Sequence, residues 1–190
     1  MTNILFIVGS TRKNSFNRQL AKITEKLIAK YASNNCSQIQ VSYLDFNDVP
    51  FFNQDTEFPP PDSVSKIRSE FSKADGIWIF TPEYNQSYPG LLKNLFDWLS
   101  RPMDVTNFAN PTAVQGKKVT ASGAGGRNMT KSCREKLNEL LEYIKMDVMK
   151  EPQTGIALGM EAWVKGEFKL TEEQLNELRL QVEKFVEFIK

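Results

Sequence analysis

Short apolar runs and longer amphipathic stretches alternate along this chain. Asn3-Ile4-Leu5-Phe6-Ile7-Val8 is a compact apolar run, after which Phe16, Leu20, Ile23, Leu27 and Tyr31 recur at helical spacing. Residues 38–44 alternate and predict a second strand. A loop with Pro50, Pro59, Pro60 and Pro61 leads into a helix carrying Val64, Ile67, Phe71 and Ala74. Gly76-Ile77-Trp78-Ile79-Phe80 is apolar throughout, as a strand buried on both faces requires. Pro89 suits the first turn of the next helix, whose apolar positions are Leu91, Leu92, Leu95, Phe96 and Leu99. Residues 118–122 form a fourth strand that opens into Gly123-Ala124-Gly125-Gly126. Cys133, Leu137, Leu140, Leu141 and Ile144 mark the following helix, and residues 147–150 a short fifth strand. Residues 151–170 read as a loop. Thr171-Glu172-Glu173-Gln174 is a capping box for the last helix, with Leu175, Leu178, Val182, Phe185 and Ile189 on one face. Five strands alternating with helices predict an α/β fold with a parallel sheet covered on both faces.

No repeat, linker or low-complexity tract interrupts the pattern, so residues 1–190 are expected to form a single domain. Charge narrows the partners: a net +1 gives no reason to expect nucleic acid or an anionic membrane. The apolar opening is too short for a signal peptide or a span. Two cysteines, Cys36 and Cys133, stand far apart with no disulfide framework, which points to the cytoplasm. The chain has no histidine. That removes Ser–His and Cys–His nucleophiles, His-ligated zinc and an imidazole base, and no metal site is expected. A difficult reaction would then be run by a bound cofactor, and a binding protein without catalysis is equally compatible with this composition.

In parallel sheets, ligands sit beyond the carboxyl ends of the strands. The loops after strands one, three and four are the most polar and the richest in Gly or Pro, and they gather at that edge. Gly9-Ser10-Thr11-Arg12-Lys13-Asn14-Ser15-Phe16-Asn17 has the makings of a phosphate cradle. A strand-to-helix turn aims free N–H groups and a helix dipole at one point, and hydroxyls, an amide and a guanidinium add donors. It matches neither G-x-G-x-x-G nor G-x-x-x-x-G-K-[ST], and it lacks a nucleophilic cysteine. It therefore holds a phosphate without cleaving it. The second loop, Thr81-Pro82-Glu83-Tyr84-Asn85-Gln86-Ser87-Tyr88-Pro89-Gly90, suits the edge of a planar heterocycle, and equally a plain strand-end turn. The third, residues 122–126, lets backbone approach a ligand closely because glycine lacks a Cβ.

Taken together, Gly9-Ser10-Thr11-Arg12-x-x-Ser15-x-Asn17 and Thr81-Pro82-Glu83-Tyr84-Asn85-x-Ser87-x-Pro89-Gly90-x-Leu92-Lys93-Asn94-x-x-Asp97-Trp98 resemble the NAD(P)H-dependent FMN reductase family. The similarity runs through residues 3–150 and includes Pro50-Phe51-Phe52-Asn53-x-Asp55. It implies a flavodoxin-like three-layer α/β/α sandwich with strand order 2-1-3-4-5. It implies FMN as cofactor and NADPH or NADH as donor. Hydride would pass to the flavin and on to a small-molecule acceptor such as a quinone, an azo compound, a flavin or a metal oxyanion. Ser10, Arg12, Ser15 and Asn17 would hold the FMN phosphate. Pro82, Glu83, Tyr84, Asn85 and Ser87 would line the ring, mostly through backbone. Ser122, Gly123, Gly125 and Gly126 fall where the family has a third flavin-contacting loop, although Arg127 and Asn128 depart from its usual form. A homodimer or homotetramer is implied, and no catalytic acid or base is assigned. An electron-carrier flavodoxin is the alternative, against which Arg12 and the net charge argue; a flavin-free binding protein of this fold is another.

The remaining candidates have plainer readings. Trp78 and Trp98 suit the core or an interface; Glu83 a helix-start carboxylate rather than a proton relay; Arg101 a nucleotide phosphate, a neighbouring subunit or solvent. Trp163 and Phe108 suit a lid or subunit contact. The six methionines are expected as core filler, and both cysteines as structural.

Overall fold

The computed structural model describes residues 1–104, 106 and 111–190; Phe108 lies outside them. Strands β1 (Thr2–Val8), β2 (Ile39–Tyr43), β3 (Gly76–Phe80), β4 (Lys118–Gly125) and β5 (Asp147–Val148) pair in parallel in the order β2-β1-β3-β4-β5. This is the expected flavodoxin-like path. Helices α1 (Phe16–Asn34), α2 (Asp62–Lys73), α3 (Gly90–Leu99) and α4 (Lys131–Tyr143) occupy the crossovers.

Side chains that alternate along each strand divide between two apolar layers. Leu5, Ile7, Ile77, Ile79, Val119 and Ala121 face one layer with residues of α2, α3 and α4. Ile4, Phe6, Val8, Trp78 and Phe80 face the other, with α1 and the last helix, α6 (Glu172–Phe188). The expected capping box opens α6, with Thr171 and Gln174 bonding reciprocally. Trp78 and Trp98 are core residues, both fully buried. Two methionines fill core, Met146 and Met149, whereas Met1, Met103, Met129 and Met160 are exposed. The expectation of six core methionines is corrected accordingly.

Two departures bear on the site. Residues 151–170 are not all loop: β6 (Gly155–Ala157) and α5 (Met160–Lys165) lie within them. Only Ile156 of β6 is buried, so no apolar period announces the strand. Its partner explains it. β4 runs on to Gly125, and its last residues pair with Gly155, Ile156 and Ala157, satisfying backbone groups that β5 is too short to reach. The glycine run expected as an open loop is thus mostly strand.

Candidate functional site

Because the strands run parallel, the segments after β1, β3 and β4 emerge at one edge. The first turn is built from its own backbone: Gly9 N–H donates to the Phe80 carbonyl, Ser10 N–H to Val8, and Arg12 N–H to Ser10 Oγ at 3.3 Å. Ser15 caps α1, its Oγ accepting the Asn17 N–H at 3.2 Å. Among the described residues, the N–H groups of Thr11, Lys13 and Asn14 have no intrachain acceptor. Arg12 is exposed, without an acidic partner among those residues, and lies over the Phe16 ring at 5.2 Å from its centroid. Phe16 in turn meets Trp163 of α5 edge-on at 5.2 Å.

Asn17 behaves differently from its expected neighbours. Its Nδ2 donates to the Ala124 carbonyl at 3.0 Å and its Oδ1 accepts the Ala124 N–H at 2.9 Å. Buried in this way, it ties α1 to β4 rather than reaching into the cradle.

The second segment folds into a two-residue hairpin. Tyr84 N–H donates to the Ser87 carbonyl and Ser87 N–H to Tyr84, both at 3.0 Å. Asn85 (φ 51°) and Gln86 (φ 58°) are both left-handed, the geometry of a type I′ turn. Pro82 is buried, and Tyr84 and Asn85 are exposed. Thr11, Arg12, Tyr84, Pro89 and Leu91 line a cleft of about 200 Å³ between the first turn and this hairpin. Hollows of about 340 Å³ beside α5, about 350 Å³ between the starts of β1 and β2 and the end of α2, and about 380 Å³ beside Lys13, Asn14 and Ser15 at the start of α1 are larger.

Glu83, just before the hairpin, reaches sideways. Its Oε2 accepts the Cys133 N–H at 2.9 Å and its Oε1 the Asn128 amide at 2.7 Å. This is the helix-start carboxylate expected of it. The Cys133 thiol lies beneath, donating to the Pro82 carbonyl at 3.4 Å; burial pushes its pKa up to about 11, so it is neutral and unreactive near neutrality.

The third segment differs most from its sequence reading. Ser122 is fully buried on the α6 side, where its Oγ accepts from Trp78 Nε1 and donates to Gln181 Oε1. A Cβ on Gly123 would sit 2.1 Å from Thr130 Oγ1, and one on Gly125 2.8 Å from Thr130 Cγ2. These glycines admit Thr130, a residue of the same chain, where a ligand was expected. Gly126 alone is exposed, with open space at its Cβ position.

Sequence reasoning also missed a platform beside α3. Asn94 accepts the Phe52 N–H and donates to the Pro50 carbonyl, which also receives Trp98 Nε1–H. Arg101 forms a bidentate pair with buried Glu57 at 2.8 and 3.1 Å, which raises its pKa further. It is therefore not free for a nucleotide phosphate. The aromatic-proline segment 50–53 and the acidic Glu57 were visible, but not their pairing across some 40 residues. No helix among the described residues is long and apolar enough to cross a membrane.

Comparison with known proteins gives concordant results. The model of the NADPH-dependent FMN reductase family matches residues 2–161. A 2-hydroxy-1,4-benzoquinone reductase of a Burkholderia species is 32% identical over 151 residues, 79% of this chain and 75% of that protein. A quinone reductase of Pseudomonas putida is 29% identical over 190 residues, 99% of this chain and 95% of that one. Among solved structures, FerB, a flavoenzyme NAD(P)H:(acceptor) oxidoreductase of Paracoccus denitrificans, superposes with a TM-score of 0.82 at 28% identity, covering 100% of this chain and 97% of its own.

Proposed function

This chain belongs to the NADPH-dependent FMN reductase family, and from that premise we propose which residues hold the cofactor and which acceptor the enzyme serves. It is a flavin-dependent NAD(P)H oxidoreductase, with FMN as cofactor and NAD(P)H as electron donor.

The donor set suits a phosphate monoester. Ser10, the exposed Arg12 and the N–H groups of Thr11, Lys13 and Asn14 supply charge and hydrogen bonds at a helix start. Ser15 keeps that helix end formed as its cap, and Asn17 fixes α1 against β4. Pro82, Glu83, Tyr84, Asn85 and Ser87 present the edge and face of the hairpin to the ring, and Gly126 leaves open space beside it. Ser122, Gly123 and Gly125 support this surface from behind. Held there, FMN would supply the redox chemistry between nicotinamide and acceptor. The residues orient and shelter it.

The cleft of about 200 Å³ is smaller than typical ligand pockets, roughly 300–1,000 Å³. It suits the phosphate end. A quinone is the proposed acceptor, in keeping with the activities named for the two relatives. We place the whole chain in one domain, supported by two apolar layers on one sheet. We keep a homo-oligomer and a cytoplasmic location as proposals, the latter in keeping with two free cysteines.

The observation that carries this reading is Arg12, at a helix start and without an acidic partner among the described residues, facing the Tyr84 hairpin across one cleft. Purified protein loaded with FMN should bleach on anaerobic addition of NADPH or NADH and recover its colour with benzoquinone. Bleaching without recovery by quinone, but with recovery by an azo dye, free flavin or a metal oxyanion, would move the acceptor. Flavin uptake with no bleaching by either nicotinamide would overturn the assignment of this site in favour of a carrier.

A further inference from the structure

Glu83 makes contacts that holding a flavin through the main chain does not require. Both carboxylate oxygens are engaged, one on the Cys133 N–H and one on the Asn128 side chain. Cys133 is the third residue of α4, so its N–H is one of the donors a helix start leaves without an internal partner. The cap residue, Thr130, makes no side-chain hydrogen bond to the helix. A carboxylate from another segment does that work, favoured also by the helix dipole.

A strained turn stands on each side of this contact. Asn85 and Gln86 have φ of 51° and 58°; Met129 and Thr130 have 55° and 58°. None is glycine, and of the four only Asn85 is of a type that visits this region without much cost. Among the described residues, Glu83 is the only side chain of the segment 83–88 that hydrogen-bonds another part of the chain. The anchor is α4, whose Cys133, Leu137 and Leu141 are buried. The held part is the hairpin, whose Tyr84, Asn85 and Gln86 are exposed.

We infer that Glu83 is a positioning residue, a clasp that couples the Tyr84–Ser87 hairpin to the start of α4 and so sets how the hairpin meets the flavin ring. The inference rests on the FMN reading above for its second half only. Its first half concerns only contacts within the chain.

Three measurements on Glu83→Ala and Glu83→Gln separate the two halves. Without cofactor, hydrogen exchange at Tyr84 and Ser87 should quicken at least tenfold in Glu83→Ala, together with exchange at Cys133. In flavin titration the same variant should bind FMN about tenfold more weakly, and the midpoint potential of bound flavin should shift. Glu83→Gln keeps an acceptor for the Cys133 N–H and should restore most of the exchange protection and affinity. A merely structural cap would quicken Cys133 alone. Wild-type exchange rates in the hairpin of Glu83→Ala would therefore overturn the clasp. Loosened hairpin amides with unchanged affinity and potential would overturn its effect on the cofactor. Wild-type protein that takes up no FMN would instead overturn the cofactor reading, with the exchange rates still deciding the clasp.

Discussion

Arg12 is suited to an anion because no carboxylate neutralises it among the described residues. Its guanidinium rests over Phe16, which limits its swing without removing its charge. Arg101 makes the contrast: it carries the same kind of charge, but Glu57 holds it bidentately. A charge-assisted contact of Arg12 with phosphate is worth about 1.5–3 kcal/mol, so Arg12→Ala should weaken FMN binding roughly ten- to hundredfold. The thermal midpoint should barely move, because the side chain is exposed. Unchanged affinity in a fluorescence titration would remove Arg12 from the cradle. The proposed cradle could be read from the sequence because it is local, contained within residues 9–17. The partners of Asn17 and Ser122 could not, since they lie 107 and 59 residues away; Asn17 was expected as a cradle donor and Ser122 by resemblance to the family's third loop.

At the scale of elements, periodicity gave what repeats and missed what does not. The long helices and strands carry apolar stripes and were placed within a few residues, and β1, β3 and the capping box of α6 stand where expected, whereas the six-residue α5 was read as loop. β6 carries one buried apolar residue, and pairing with β4 creates it. The glycines of β4 were legible as a close approach, but not what approaches: a side chain from the same loop leaves the same signature as a ligand. The Tyr84–Ser87 hairpin could be read as a tight turn, although Gln86 stands where a type I′ turn favours glycine. A left-handed non-glycine residue costs about 1–2 kcal/mol, and the extra flexibility of glycine offsets roughly half of that. Gln86→Gly should therefore stabilise the protein by about 0.5–1 kcal/mol in urea unfolding, since the exposed Gln86 makes no hydrogen bond to lose among the described residues. A loss of stability would show that Gln86 holds the turn by a contact not seen here.

On the scale of the molecule, the sheet separates the machinery from much of its support. The cleft lies beyond the strand ends, while the middle of β4 is pinned from its α6 side by Gln181. Fully buried Gln181 accepts from Ser122 Oγ and the Thr154 N–H, and donates to Thr120 Oγ1 at 3.0 Å and the Ala121 carbonyl at 3.1 Å. Replacing it by leucine keeps much of the volume but orphans a buried N–H and disturbs the hydroxyls it bridges, at about 1–3 kcal/mol per unsatisfied group. Gln181→Leu should thus lower stability by about 2–4 kcal/mol while the folded protein binds FMN within about twofold of wild type. The outcome also decides the role of β4. If Ser122 and Gly123 touch the flavin, loosening their far side will weaken FMN binding well beyond twofold. If they only receive Thr130 and Gln181, affinity will hold while the unfolding midpoint falls. Titration and urea unfolding of one variant therefore distinguish a third cofactor-contacting segment from a buttress beneath the other two.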